Sequence, residues 1–229
     1  MVSWNQKELR ALLDARSDFS DENIDFAKNL MYSIDWKVKA KKYHLGELRR
    51  ASKPLKGGAD SDISRVLDGL INRSSKNFSE YNRLVYEKEF NVIAAAQTVH
   101  SLPEIILQLA CLLDSGCEVD IHNISLKRSY QKLSFDRVRS SLEEIIDAEN
   151  YKYLNAFTNI TKHRSLVKPS FNISLIGDDS ELIFEAFRYQ SADFSRKSES
   201  DFIQELNDLT SDLIKTCVFL NEDFKEIGD

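Results

Sequence analysis

Apolar residues return every three or four positions along most of this chain, and every second position in one short stretch. The first period belongs to a helix with one buried face, the second to a strand. Leu9, Leu12 and Leu13 make Gln6–Arg16 a short amphipathic helix. Ser20 is placed to cap a second helix, with Asp21 and Glu22 in the first turn, where carboxylates meet the positive helix end. Ile24, Phe26 or Ala27, Leu30, Met31, Ile34 and Val38 form its apolar side. It runs into a basic stretch, and Pro54 with Gly57-Gly58 marks a loop. A short helix from Asp60 or Ser61 carries Ile63, Val66, Leu67, Leu70 and Ile71, and Ser74–Asn77 breaks it.

A longer helix is predicted from about Phe78 to Val99, on Phe78, Tyr81, Leu84, Val85, Val92, Ile93 and Ala96. Ser101 with Glu104 three residues on forms a capping-box pattern, and Pro103 suits a first turn. One helix therefore ends near His100 and another runs from Leu102 to Asp114, stopped by Ser115-Gly116. Cys117–Leu133 reads as loop or short extended structure. Ser134 then caps the longest helix, reaching His163, with Phe135, Val138, Leu142, Ile145, Ile146, Tyr153, Phe157 and Ile160 facing the core. After Pro169 the period drops to two: Ser170–Ile176 and Glu181–Tyr189 flank Gly177–Ser180 as a β-hairpin, which needs helices to pack on. Ser198 caps a final helix whose stripe is Phe202, Leu206, Leu209, Leu213, Cys217 and Leu220. The acidic tail from Asn221 to Asp229 reads as frayed.

The predicted fold is mainly α: a multi-helix bundle with a single β-hairpin at about 170–189 packed on the helices. One domain spans 1–229, with N-terminal helices and a basic loop at 1–58, a bundle core at 60–165, and the hairpin with the last helix at 166–229. Seven glycines and three prolines are few for 229 residues, which argues against an all-β fold rich in turns. Met1–Arg16 has no apolar core of a signal peptide, and Phe90–Pro103, the longest uncharged run, is too short and polar to span a bilayer. The expected compartment is the cytoplasm, with no membrane partner. Cys111, Cys117 and Cys217 have no ligand spacing and read as small apolar fillers.

Charge changes the picture in one place. Lys37–Lys56 holds eight basic residues against a single acid, Glu47, so this segment is +7 in a chain of net −6. Lys39, Lys41 and Lys42 on it are candidate contacts to a phosphate backbone. An acidic partner or an acidic face of the same fold is the alternative. Candidate chemistry lies elsewhere, at the end of the long predicted helix. Asn155, Asn159 and His163 recur every four residues and share a face, with Lys162 beside them; Arg164 points about 200° away from Lys162. An imidazole can move a proton at neutral pH, and a cation beside it can hold a phosphate oxygen. A buried cluster that fixes helix register is the competing explanation. Glu89 and His100 share a face of their own helix and could oppose this stripe; a helix-terminal cap is the simpler role for His100. Asp120 and His122 alternate as on a strand, but two ligands make no metal site. No metal or cofactor is expected, and no phosphate-binding loop, nucleophile elbow or His-Glu-x-x-His motif is present.

Asn159-Ile-Thr-Lys-His163 at a helix end resembles the HEPN superfamily, whose signature is an Arg, often a following polar residue, then three residues and a His. The position of the family's Arg is Thr158 here, and Arg164 lies on the other side of His163. The resemblance, over roughly Phe78–His163, implies an all-α bundle. Active members are metal-independent ribonucleases whose Arg and His meet across a homodimer, many in toxin–antitoxin and anti-phage systems. Inactive members bind RNA or nucleotides or serve as interaction modules. The resulting expectation is an RNA-binding or RNA-cleaving protein of a bacterial defence or toxin-type system, dimeric or with a protein partner. In it His163 would be the acid–base group, Lys162 or Arg164 the charge stabiliser, and His100, Asn159, Asn155 and Glu89 supporting residues. The rival expectation is a non-enzymatic helical interaction or immunity protein.

Overall fold

In the computed structural model of the chain, residues 3–55, 68, 71–74, 76–114, 124–163, 167, 169–172 and 181–228 are described. Their helices are α1 (Gln6–Asp14), α2 (Asp21–Ser52), α3 (Lys76–His100), α4 (Leu102–Leu113), α5 (Leu126–Ser129), α6 (Asp136–Asp147), α7 (Glu149–His163) and α8 (Glu199–Gly228). Five short strands follow α7: β1 (Pro169–Asn172), β2 (Glu181–Phe184), β3 (Phe187–Tyr189), β4 (Ala192–Phe194) and β5 (Lys197–Ser198). The fold is thus mainly α with a small antiparallel region in the C-terminal half. The chain divides into two compact units, Met1–Lys39 with Thr98–Lys152 and Asn207–Asp229, and Ala40–Gln97 with Tyr153–Leu206. Helices α2, α3, α7 and α8 are each continuous from one unit into the other.

The first unit is built on leucine-rich stripes. Leu102, Ile106, Leu107, Leu109 and Ala110 of α4 are fully buried, as are Leu213, Cys217 and Leu220 of α8. Each buried Leu or Ile among them contributes roughly 1.5–3 kcal/mol of transfer free energy against the entropy of ordering it. The C-terminal tail departs from expectation: it stays helical to Gly228, with Asn221, Asp223 and Phe224 buried. Polar partners hold it there. The Trp4 indole Nε1–H donates to Asn221 Oδ1 at 2.8 Å, and Asn221 donates to the Asn5 carbonyl at 2.9 Å. Arg137 reaches Asp223, Glu222 and Glu226, and Phe19 meets Phe224 edge-on. Four acids in nine residues looked like fraying; three of them share one arginine.

The long helix predicted from Ser134 to His163 is two helices. Ala148 is extended (φ −69°, ψ 140°) between α6 and α7. Its carbonyl accepts from Lys152 N–H, so it opens the second helix, and Asn150 turns its Oδ1 onto the Tyr151 N–H. Asp147 and Asn150 are residues whose side chains compete with the helix for backbone groups. Ser134 caps nothing here. Its hydroxyl donates to Asp114 at 2.6 Å, tying the end of α4 to the start of α6. Ser101 stands at the N-cap of α4 as expected, but its side chain makes no capping bond: its hydroxyl donates to the Thr98 carbonyl, while the break after His100 and Pro103 in the first turn stand as expected. Part of Cys117–Leu133 is helical, at α5 and a following 3-10 turn; Cys117 lies outside the described residues, as do Ile63, Val66 and Leu67 of the helix expected after Asp60.

In the second unit, β1 pairs antiparallel with β2, from Pro169 opposite Phe184 to Asn172 opposite Glu181. The hairpin does not continue to Tyr189. The chain leaves the sheet after Phe184, and β3 turns back on β4 through Gln190, which has φ 55°. β5 then pairs with the free side of β2, giving the order β1-β2-β5. Leu182, Ile183 and Phe184 are all buried, so β2 is covered on both faces and its sequence cannot alternate. An aromatic cluster of Tyr153, Phe157, Phe184, Phe187, Phe194 and Phe202 joins α7, the strands and the start of α8, with centroids 4.9–6.5 Å apart. Ser198 caps α8 as expected, accepting from Asp201 N–H and donating to the Asp201 carboxylate. One stretch, Lys76–Leu113, is apolar and long enough to cross a membrane by composition, with mean hydropathy 1.2; 56% of that window is buried, as in a core helix.

Candidate functional site

The polar stripe on α7 is tied along its own helix by one amide pair. Asn159 Nδ2 donates to the Asn155 carbonyl at 2.8 Å and to Asn155 Oδ1 at 3.0 Å, so the two amides answer each other along one turn. Both are half-buried. Lys162 and His163 are exposed at the helix end, and His163 has no hydrogen-bond partner among the described residues. Thr158, at the position of the Arg in the HEPN signature, is fully buried, and its hydroxyl has no partner among the described residues. A long cation could not occupy this position and reach solvent beside His163. Arg164 lies outside the described residues. The structure therefore brings Asn155 and Asn159 together and leaves His163 open, without a second acid–base group placed beside it among the described residues of its unit.

His100 and Glu89 sit in different units. His100 is half-buried at the end of α3 and stacks flat on Tyr151, with ring centroids 6.3 Å apart and planes 3° from parallel. Burial, with the nearby Glu104 carboxylate, pushes the Tyr151 phenol well above its ordinary pKa. Glu89 is buried at 5% exposure, and desolvation raises its carboxyl above the usual range. Asp120 and His122 lie outside the described residues; among those described, no three His, Cys, Asp or Glu side chains are grouped to hold a metal ion.

The second unit also holds an ionic site that sequence periodicity missed. Lys88 on α3 is 1% exposed and its Nζ lies 2.9 Å from Glu199 Oε2, at the first turn of α8. The same Glu199 oxygen accepts the Leu182 N–H of β2 at 3.1 Å, and Lys88 Nζ lies 5.0 Å from the Phe171 ring of β1. Two strands and two helices are thus pinned to one buried pair. Close by in sequence, Lys197 donates to Glu205 at 2.6 Å while sitting 3.8 Å over the Tyr153 ring. The available sequence signal was only the order of charges, Lys88-Glu89 in an apolar helix, which does not say that both are buried.

An accessible polar surface lies on α2. Its basic stretch is helical to Ser52, so its residues sort by angle rather than by order. Lys41 falls on the inner side at 5% exposure and does not join Lys39 and Lys42, which are exposed. At about 100° per residue, Tyr32, Trp36, Lys39, Tyr43 and Arg50 fall within about 60° of one line, flanked by Lys42 and Arg49; Lys53 follows in a 3-10 turn, Lys53–Leu55. Tyr32, Trp36 and Tyr43 are 60%, 55% and 63% exposed. Lys39 pairs with Asp35 at 2.6 Å, which raises its ammonium pKa first through that hydrogen bond, and Arg50 pairs with Glu47 at 2.9 Å. Such exposed pairs are worth at most about 1 kcal/mol and yield easily to a competing anion. Lys42, Arg49 and Lys53 form no ion pair among the described residues. Beside Tyr43, His44 bonds through Nδ1 to Asn91 Oδ1 of α3 at 3.0 Å and is a positioning contact rather than an open base. No protein-family description, characterised protein or solved structure matches this chain.

Proposed function

We propose that this is an HEPN-like protein that binds RNA along the outer face of α2 and does not cleave it. A bacterial defence or toxin-type setting comes with that resemblance and belongs to the proposal. The observation that carries the reading is the placement of Lys39, Lys42, Arg49 and Arg50 on the exposed side of one helix, with Lys53 exposed in the 3-10 turn that follows it, in a chain with net charge −6. Excess positive charge gathered on one accessible face attracts a polyanion and releases its counterions on binding. Against cleavage stand the buried Thr158 and the Asn155–Asn159 pair bonded to itself, which leave His163 without a cation at the family's position.

The test is fluorescence anisotropy of a labelled RNA across a salt series. Lys39→Glu with Lys42→Glu and Arg50→Glu should lower affinity about 100-fold at fixed salt and reduce the salt slope by about two. The RNA should remain uncut. No binding at low salt would sink the proposal and leave an interaction or immunity role; cuts abolished by His163→Ala would overturn its non-cleaving half.

A further inference from the structure

Charge alone does not distinguish a duplex from a single strand, but the rings on α2 do. We infer that the RNA held by α2 is single-stranded, with unpaired bases stacked on Tyr32, Trp36 and Tyr43; this rests on the RNA-binding reading above. These three rings are more than half exposed, while the Tyr and Phe rings of the second unit's core gather into one packed cluster. The face belongs to a single unbroken helix, so its spacing is set by helix geometry. Tyr32 and Trp36 are one turn apart, about 6 Å along the axis; Tyr43 follows two turns later with Lys39 between, and Arg50 two turns beyond that. From Tyr32 to Arg50 the face runs about 27 Å, the length of roughly eight stacked nucleotides. Two rings, a cation, a third ring and a second cation follow one another along the face, so bases can stack while the phosphates that link them are held. A duplex hides its base faces and would meet only the cations.

Two other occupants fit less well. A membrane-surface helix separates an apolar face, usually with aliphatic residues, from its charges. Here cations stand in line with the rings, and the exposed aliphatics, Ile71 and Ile227, are not on α2. A second copy of the chain would set the +7 segment against another of the same sign.

The experiment uses the full chain with a labelled single-stranded oligoribonucleotide of about twelve residues, and with the same sequence as a duplex. The single strand should bind at least 10-fold more tightly and quench tryptophan emission. Trp36→Phe should remove most of that quench, because Trp4 and Trp36 are the only tryptophans and Trp4 is engaged with Asn221. Trp36→Ala and Tyr43→Ala should each weaken the single strand about 5- to 100-fold and leave the duplex within 2-fold. The circular dichroism spectrum should not change, since both positions are exposed. Equal affinity for both forms with neutral Trp36→Ala and Tyr43→Ala would overturn the inference and leave the RNA-binding reading standing. Absence of any RNA binding overturns both. Quenching by phosphatidylserine vesicles but not by RNA, or self-association lost in Trp36→Ala, would hand the face to a membrane or a second copy and overturn the inference too.

Discussion

Helices α2 and α3 use lysine in opposite ways. On α2 the cations Lys39, Lys42 and Arg49 stand in solvent on the same helix as three exposed rings. On α3 one cation, Lys88, is among the largest fully buried side chains of the described residues and is matched by an aromatic face and by Glu199, which also accepts a strand N–H. A solvated cation adds little to stability and is available for a ligand. A buried one costs desolvation, depends wholly on its partner and is unavailable to anything outside. Stability and binding should therefore be separable by residue. Changes on α3 and inside α7 should move unfolding, and changes on the outer face of α2 should move ligand affinity alone.

The largest effect should come from Lys88→Ala, which leaves the Glu199 carboxylate buried without its cation. The expected loss is about 3–5 kcal/mol, read from urea denaturation. The α2 charge reversals, measured the same way, should stay within about 0.5 kcal/mol. If Lys88→Ala proves silent, the contrast between the helices fails.

Glu89→Gln sharpens the comparison through pH. Burial raises this carboxyl in the folded state, so the fold disfavours its ionised form. The penalty is absent below the unfolded-state pKa and grows as pH rises through the folded value, above which it is constant. Glu89→Gln should therefore stabilise the chain at pH 7, by less than Lys88→Ala costs, and the gain should vanish below about pH 4. A gain that is the same at both pH values would mean that desolvation of the charge is not its source.

Thr158→Val removes a buried hydroxyl that has no partner among the described residues and should add about 1 kcal/mol, seen as a raised Tm. A loss instead would mean that the hydroxyl is satisfied in solution. The smallest effect should be that of His163→Ala, within about 0.5 kcal/mol in stability and 2-fold in RNA affinity, since this ring is exposed and unpartnered among the described residues.

Much of the helical plan was legible in the chain. The stripe Phe202, Leu206, Leu209, Leu213, Cys217 and Leu220 is buried along its whole length, and the break at His100 falls where Ser101 and Pro103 place it. Local competition was harder to read. Ala148 parts α6 from α7 inside an unbroken apolar period, because that period continues across the gap and only Asp147 and Asn150 mark it. β2 ran against its expected alternation because it is the central strand of its sheet and its side chains are buried on both faces. Of the candidate site, the spacing of Asn155, Asn159 and His163 was legible, and so was the basic stretch. That the two amides would bond each other, that Thr158 would face the core and that Lys41 would turn inward from Lys39 and Lys42 was not.

The sequence by itself determined the periods: which residues can share a helix face, where caps and prolines stop a helix, and where charge accumulates. These depend on neighbours a few positions apart. Tertiary structure alone decided which face met water. It buried Lys88 against Glu199, more than a hundred residues away, and left Tyr32, Trp36 and Tyr43 uncovered. The reason is physical: solvation of a side chain is set by whatever packs across from it, and that partner is chosen by the whole chain.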